Sequence, residues 1–281
     1  MNKIKKIGVL GCGNMAGAMT FNLSKNLNKL GSTYQFHLYT PSKTKALKLC
    51  NDISKYVETE VHDSISFISE MDIVFLGFKP QQFKEVSNNL KKLINKKTII
   101  YSILAGINIQ TITDHLSNEN IVRSMPNTPI KIGKGMNLLS FSSELSKENV
   151  SELTKLSKLM SPVEIVVESS LDLLTPVSGS GPAYLFYLGE SLVSYLVKNN
   201  IEKNIAENIV KETLAGAASL WADQTDTSQT KISATELKNQ VTSKGGITQE
   251  VLNGFDHKNL SELIHQSLDL GVTKSIELGK L

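Results

Sequence analysis

Residues 7–17 read Ile7-Gly8-Val9-Leu10-Gly11-Cys12-Gly13-Asn14-Met15-Ala16-Gly17. An apolar run from Ile4 to Leu10 leads into this group of glycines, and from Asn14 to about Leu30 the pattern turns helical. A strand feeding a glycine turn and then a helix is the context in which G-x-G-x-x-G/A holds a dinucleotide rather than merely turning the chain. Gly11 permits the tight turn, Gly13 lets a pyrophosphate approach the backbone, and Ala16 lets helix and strand pack closely. The helix N-terminus then faces the phosphates.

Working outward, strand and helix patterns alternate. Gln35–Thr40 reads as a second strand, Lys43–Asn51 as a helix, and Asp72–Phe78 as the continuous apolar run of a strand buried on both faces. Phe83–Ile94 is helical, Thr98–Leu104 is another buried strand, and Asn120–Ser124 leads into Met125-Pro126-Asn127-Thr128-Pro129. A strand over Met136–Phe141, a helix over Lys147–Met160 and a strand over Val163–Val167 complete a doubly wound α/β unit. Beyond Glu168 the grammar changes to helices alone: Leu171–Val177, Pro182–Lys198, Ile205–Trp221, Thr235–Thr242, Ile247–Phe255 and Leu260–Leu278. The expected domains are therefore 1–167, binding a dinucleotide, and 168–281, all helical. The wide apolar arcs and small residues of these helices predict packing against a second copy of the chain. Asp223–Thr230 is polar and aperiodic, a loop without assigned chemistry.

At the end of the second strand an NAD site usually carries Asp or Glu for the ribose 2′-hydroxyl. Here the chain reads Tyr39-Thr40-Pro41-Ser42-Lys43-Thr44-Lys45. Hydroxyls and lysine donors suit a 2′-phosphate that a carboxylate would repel, which favours NADPH and leaves NADH as the lesser cofactor. The plainer alternative is a solvated turn in which Lys43 and Lys45 are surface charge.

Composition removes other classes. A net charge of +3 with scattered lysines gives no nucleic-acid footprint. No apolar run reaches the roughly eighteen residues of a membrane span, and Met1-Asn2-Lys3 opens directly into a strand, so a cytoplasmic protein is expected. Two cysteines, Cys12 and Cys50, make no disulfide framework. His37, His62, His115, His257 and His265 show no ligand spacing, and no metal site is expected.

Two glycine-serine turns in the helical half, Ser178-Gly179-Ser180-Gly181-Pro182 and Thr242-Ser243-Lys244-Gly245-Gly246-Ile247-Thr248, each precede a helix. Backbone N–H groups there suit a carboxylate, and each turn is equally well a helix cap. A hydride acceptor with a protonated C=N bond needs no base from the protein, only orientation and exclusion of water.

Together these segments resemble the pyrroline-5-carboxylate reductase family over nearly the whole chain. The resemblance rests on Gly11-Cys12-Gly13-Asn14-Met15-Ala16, Phe78-Lys79-Pro80-Gln81, Met125–Pro129, Ser178–Tyr184 and Val241–Thr248. It implies reduction of 1-pyrroline-5-carboxylate to L-proline with NAD(P)H, the last step of proline biosynthesis, and a homodimer built through the helical domain, often assembled into rings. It also implies site roles. Leu10, Gly11, Cys12, Gly13, Asn14, Met15 and Ser42, with Lys43 beside it, would hold the phosphates. Phe78, Lys79, Pro80, Leu104 and Ala105 would line the path to the nicotinamide. Val241, Ser243, Gly245, Gly246 and Thr248 would bind the substrate, with Thr248 also bonding the ring nitrogen. The chain departs from the family pattern at Lys244 (usually Pro), Ile247, Val251 and Gly77 (usually Ala), and in a longer loop around Thr225–Thr230. Such departures keep open a reductase of another small cyclic imino acid, and a silent nucleotide-binding relative is the reading from outside enzymes. The hydroxyacid dehydrogenases that share the first half rank lower, because the helix after the first turn lacks their lysine.

Overall fold

A computed structural model of the chain describes residues 5–30, 33–222 and 232–279. The polar stretch Asp223–Thr230, the opening Met1-Asn2-Lys3 and the first residue of the expected strand, Ile4, lie outside the described residues.

The first unit holds an eight-stranded sheet in the order β3-β2-β1-β4-β5-β6-β7-β8. Its strands are β1 (Lys5–Leu10), β2 (Tyr34–Tyr39), β3 (Glu58–Val61), β4 (Ile73–Leu76), β5 (Ile99–Ser102), β6 (Ile121–Pro126), β7 (Asn137–Phe141) and β8 (Val163–Ile165). β1 through β6 pair in parallel. β7 then runs antiparallel to β6 and parallel to β8.

Helices α1 (Asn14–Asn26), α2 (Thr44–Ile53), α3 (Phe83–Leu90), α4 (Ile109–Leu116) and α5 (Lys147–Lys158) cover both faces. On one face Ala16, Met19 and Leu23 of α1, Leu49 and Ile53 of α2, and Leu153 and Leu156 of α5 pack with Ile7, Val9, Phe36 and Leu38 of the sheet. On the other, Phe83 and Leu90 of α3 and Ile112 and Leu116 of α4 meet Val74, Leu76 and Ile100. Burial of each large side chain contributes roughly 1.5–3 kcal/mol. That two-sided cover is why β4 and β5 are buried at every position.

Several elements differ from the pattern reading. α1 ends at Asn26 and its expected last turn, Leu27–Leu30, is a 3-10 helix. β3 and α4 emerge where no element is expected. β3 is an edge strand of sequence Glu-Thr-Glu-Val with no buried residue, so it lacks the apolar run that marks its neighbours.

Two polar networks lock the unit. The fully buried Tyr101 hydroxyl lies 2.8 Å from Ser157 Oγ and accepts from Asn137 Nδ2 at 3.1 Å, while Ser124 Oγ donates to Asn137 Oδ1 at 2.7 Å. Buried Arg123 on β6 meets Glu168 at 3.2 Å and Asp172 at 3.8 Å. Ser275 Oγ donates to the same Asp172 carboxylate at 2.8 Å. Removing a member of the neutral Tyr101 network leaves a buried polar group without a partner, a loss of about 1–3 kcal/mol, and removing the Arg123 guanidinium takes the shared cation from Glu168 and Asp172.

These contacts explain the grouping of the chain. α6 (Leu171–Ser178) buries Leu171 and Pro176, and the first compact unit runs through Ser180 and takes back the chain from Gly271. The strand pattern ends at residue 167, but α6 packs with the sheet unit.

The second unit, Gly181–Leu270, contains α7 (Gly181–Lys198), α8 (Lys203–Ala222), α9 (Ala234–Gln240), α10 (Ile247–His257) and the larger part of α11 (Leu260–Leu278). α7 approaches α8 at Gly189, where an added Cβ would lie 3.3 Å from Leu214. Among its described residues only Ala206 and Val210 are buried hydrophobics, while Phe186 and Tyr187 are 71% and 72% exposed and Leu270 is 74% exposed. Contiguous apolar surface of this kind marks an interaction face.

Candidate active site

The glycine turn sits at the carboxyl ends of β1 and β4, the point where strand order reverses and open α/β sheets bind their ligands. Gly11 has φ +91°, and a Cβ there would stand 2.6 Å from the Phe78 nitrogen. Gly77 fits against it so closely that a Cβ would come 2.4 Å from Ala16 Cβ. Glycine at position 77 is therefore required by the local packing of this chain. Gly13 is different: an added Cβ meets only the Gly77 carbonyl oxygen, 4.0 Å away, so the backbone here is open. It starts α1 in extended conformation, with no side-chain cap and no acidic residue in the first turn. The first-turn amides are left for an anion. Burial pushes the Cys12 thiol up to about 12, so it fills space and is no nucleophile.

At the end of β2, the Thr40 hydroxyl is buried with no hydrogen-bond partner. Ser42, Lys43 and Lys45 follow on the surface. Lys43 adopts φ +52° and its ammonium lies 2.5 Å from Asp63, a carboxylate from beyond β3 that sequence reasoning did not weigh. A groove of about 390 Å³ runs along Cys12, Gly13 and Asn14, and its wall gathers Lys45, Lys48 and Lys131 with the single carboxylate Asp52. Lys48 and Lys131 went unread. The i, i+3 spacing of Lys45 and Lys48 on α2 was the available signal for the first. Nothing in sequence placed Lys131. An open backbone at Gly13, an orphaned hydroxyl, and ammonium groups without a carboxylate on β2 itself fit a phosphorylated dinucleotide.

Beyond β4, Phe78 is half-buried and packs on the second core cluster. The Lys79 N–H donates to Gln82 Oε1 at 3.2 Å, and Pro80 opens a short 3-10 turn. Leu104 is buried after β5 with its N–H 3.3 Å from Ser102 Oγ, and Ala105 is half-buried beside it. The Asn127 motif has a structural task. Its side chain accepts from the Met136 N–H at 2.9 Å and donates to the Ser178 carbonyl at 3.0 Å, tying β6 to the first glycine-serine turn.

In the helical unit, Gly246 is the extended residue that starts α10, again with no side-chain cap. Gly245 has φ +72° with nothing near its open side, and Thr248 is half-buried in the first turn. Two of the amides expected to take a carboxylate already have partners. The Gly246 N–H donates to the Ser243 carbonyl at 3.0 Å. The Gly245 N–H donates to the side-chain oxygen of Gln249 at 2.6 Å, a contact with no counterpart in the sequence reading. Val241, Ser243, Lys244 and Ile247 are exposed.

Comparison with known proteins fits this anatomy. Residues 6–106 match the family described as NADP oxidoreductase, coenzyme F420-dependent, and residues 168–278 match pyrroline-5-carboxylate reductase dimerisation. A pyrroline-5-carboxylate reductase of Staphylococcus haemolyticus (strain JCSC1435) is 32% identical over 276 residues, 98% of each chain. The chain belongs to the pyrroline-5-carboxylate reductase family. Among solved family structures, that from Coxiella burnetii superposes with TM-score 0.82 at 27% identity, covering 98% of both chains. The Plasmodium falciparum pyrroline carboxylate reductase, solved with NADP bound, shares the fold with TM-score 0.79 at 23% identity and 99% coverage of both. The family's dimerisation region contains the helices that leave Phe186, Tyr187 and Leu270 uncovered, so self-association belongs to this chain. Among the described residues no helix is long and apolar enough to cross a membrane.

Proposed function

We propose that the chain reduces 1-pyrroline-5-carboxylate to L-proline by hydride transfer from NADPH. The observation that carries this is the match to curated reductases from end to end, sheet unit and helical unit alike. In this reading Leu10 to Met15 offer the pyrophosphate a bare backbone and a helix N-terminus. Ser42 and Lys43 take the 2′-phosphate. Phe78, Lys79, Pro80, Leu104 and Ala105 flank the nicotinamide, which supplies the hydride when bound.

The helical unit contributes orientation. Ser243 and Thr248 offer the substrate carboxylate backbone amides, Gly245 offers its own once Gln249 is displaced, Gly246 shapes the turn through its bond to Ser243, and Val241 borders them. Thr248 adds a hydroxyl directed at the imine nitrogen. Because a protonated imine is already electrophilic, that hydroxyl positions the ring and the protein need not move a proton before hydride arrives. Self-association as a dimer through the helical unit agrees with its exposed apolar residues. The free thiols Cys12 and Cys50 suit a reducing compartment, the cytoplasm.

The test follows loss of the reduced nicotinamide band on mixing purified protein, NADPH and pyrroline-5-carboxylate, with other cyclic imino acids in parallel. Saturable consumption with the five-membered substrate is expected. Consumption only with a different imine would reassign the substrate, and none with NADPH or NADH would show a silent nucleotide binder.

A further inference from the structure

Two of the five dispersed histidines meet at the outer edge of the sheet. His37 lies on β2 opposite Glu60 of β3, and His62 follows β3 directly. His37 Nδ1 is 2.8 Å from His62 Nε2, and one oxygen of Glu60 lies 3.6 Å from the first and 3.8 Å from the second. These three atoms lie within 4.8 Å of one another, and the two ring nitrogens share a hydrogen bond that a bound ion would replace. Ligands held at ~2.0–2.1 Å in a tetrahedral zinc site stand about 3.3 Å apart, between the shortest and the longest of these separations.

The rings are held in place before any ion arrives. His62 stacks on Phe67 with centroids 4.1 Å apart and interplanar angle 17°, and His37 stacks on His62 at 5.1 Å. Phe67 belongs to the 3-10 segment Ile65–Glu70 that covers this face, and Gly8 of β1 makes room for it: an added Cβ would lie 3.3 Å from the Phe67 ring. His37 is buried and Glu60 exposed, so the triangle has an apolar floor and an open side where water can complete the coordination. His37 Nε2 is buried without a partner, so ring stacking rather than a second-shell acceptor orients this ligand.

We propose that His37 Nδ1, His62 Nε2 and a Glu60 oxygen form a divalent transition-metal site of the Zn²⁺ class, with water in the remaining position. Two imidazoles and one carboxylate are the donor set that zinc accepts with an open fourth position, whereas Ca²⁺ and Mg²⁺ call for an all-oxygen shell. The ion would pin edge strand β3 to β2 one residue before Asp63, the partner of Lys43. It sits apart from the groups assigned to hydride transfer, so its expected role is to fix this edge.

The test uses the full chain after dialysis against a chelator. ZnCl2 alone is titrated in a calorimeter, and CoCl2 is added separately to read the visible d–d bands of low-coordinate cobalt. One ion per chain with micromolar affinity is expected, with a higher melting temperature. Glu60→Gln, at an exposed residue, and His62→Asn, at a half-buried one, should each weaken binding at least tenfold while NADPH oxidation stays as in the parent. No stoichiometric ion below about 100 µM, or an ion bound equally well by both variants, would overturn the site and leave a hydrogen-bonded imidazole pair. Neither outcome depends on which imine the enzyme reduces.

Discussion

If the turn before α10 takes the substrate carboxylate, as proposed, Gln249 competes with it, and removing its side-chain oxygen should tighten substrate binding. In the free chain the Gly245 N–H is already committed to Gln249 Oε1 at 2.6 Å. A carboxylate using that amide must first displace the side chain. A neutral hydrogen bond contributes a net 0.5–1.5 kcal/mol, and the exposed setting of Gly245 places this one in the lower half, about 0.5–1 kcal/mol. Gln249→Leu keeps an apolar stem and removes the acceptor, so KM for the imino acid should fall about two- to fivefold at unchanged kcat. Gln249→Glu should act in the opposite sense. A carboxylate bonds the amide more strongly and repels the incoming anion by about 1 kcal/mol at ~4 Å in water, raising KM roughly five- to twentyfold. The assay is steady-state NADPH oxidation across substrate concentration, with melting temperature recorded because the contact also ties the turn to the first residues of α10. If Gln249→Leu raised KM, or if both variants moved it the same way, Gln249 would be organising the turn instead of competing for it.

Other consequences follow from the same geometry. Thr248→Ala should lower kcat by roughly ten- to a hundredfold, the worth of an orienting hydrogen bond to a charged group, while NADPH affinity by fluorescence titration stays within about twofold. Ser42→Asp should turn cofactor preference toward NADH, seen as a crossing of the two kcat/KM values. Asp63→Asn, which frees Lys43 from a partner 2.5 Å away, should tighten NADPH by about twofold at low salt, and the gain should vanish at high ionic strength because the pair is exposed. Gly11→Ala places a Cβ 2.6 Å from backbone at positive φ, and should cost more than about 2 kcal/mol, read as a shift of the urea midpoint. Melting temperature should rise with protein concentration, since the helical unit covers its apolar residues by association.

What was legible in sequence tracks what each segment is made of. β1, β4 and β5 are buried on both faces, so their apolar runs announce them, and the glycine turn shows itself by its own residues even though Gly77 and Phe78, far along the chain, hold it in place. α6 reads as the start of the helical half because periodicity shows a helix but not its neighbours. Its membership in the sheet unit comes from Arg123 pairing with Glu168 and Asp172, contacts about 45 residues apart in the chain. The substrate turn was legible as glycines, whereas the Gln249 contact depends on a side-chain rotamer that no spacing encodes.

β3 shows most directly how a missed element hides a site. Its sequence, Glu58-Thr59-Glu60-Val61, alternates in the manner of a strand but only half-buries Thr59 and Val61, so an edge strand this short carries no apolar run to announce it. Without that strand, His37 and His62 are 25 positions apart with no ligand spacing. Once β2 and β3 are paired in parallel, with His37 facing Glu60, the pleat settles the rest. Residues i and i+2 share a face, so Glu60 and His62 project to the same side of the sheet as His37. Phe67 then covers that face, because Gly8 on β1 leaves the space. The three donors are thus placed by strand register, and a change that moved β3 by one residue would turn Glu60 and His62 to the opposite face and disperse them again.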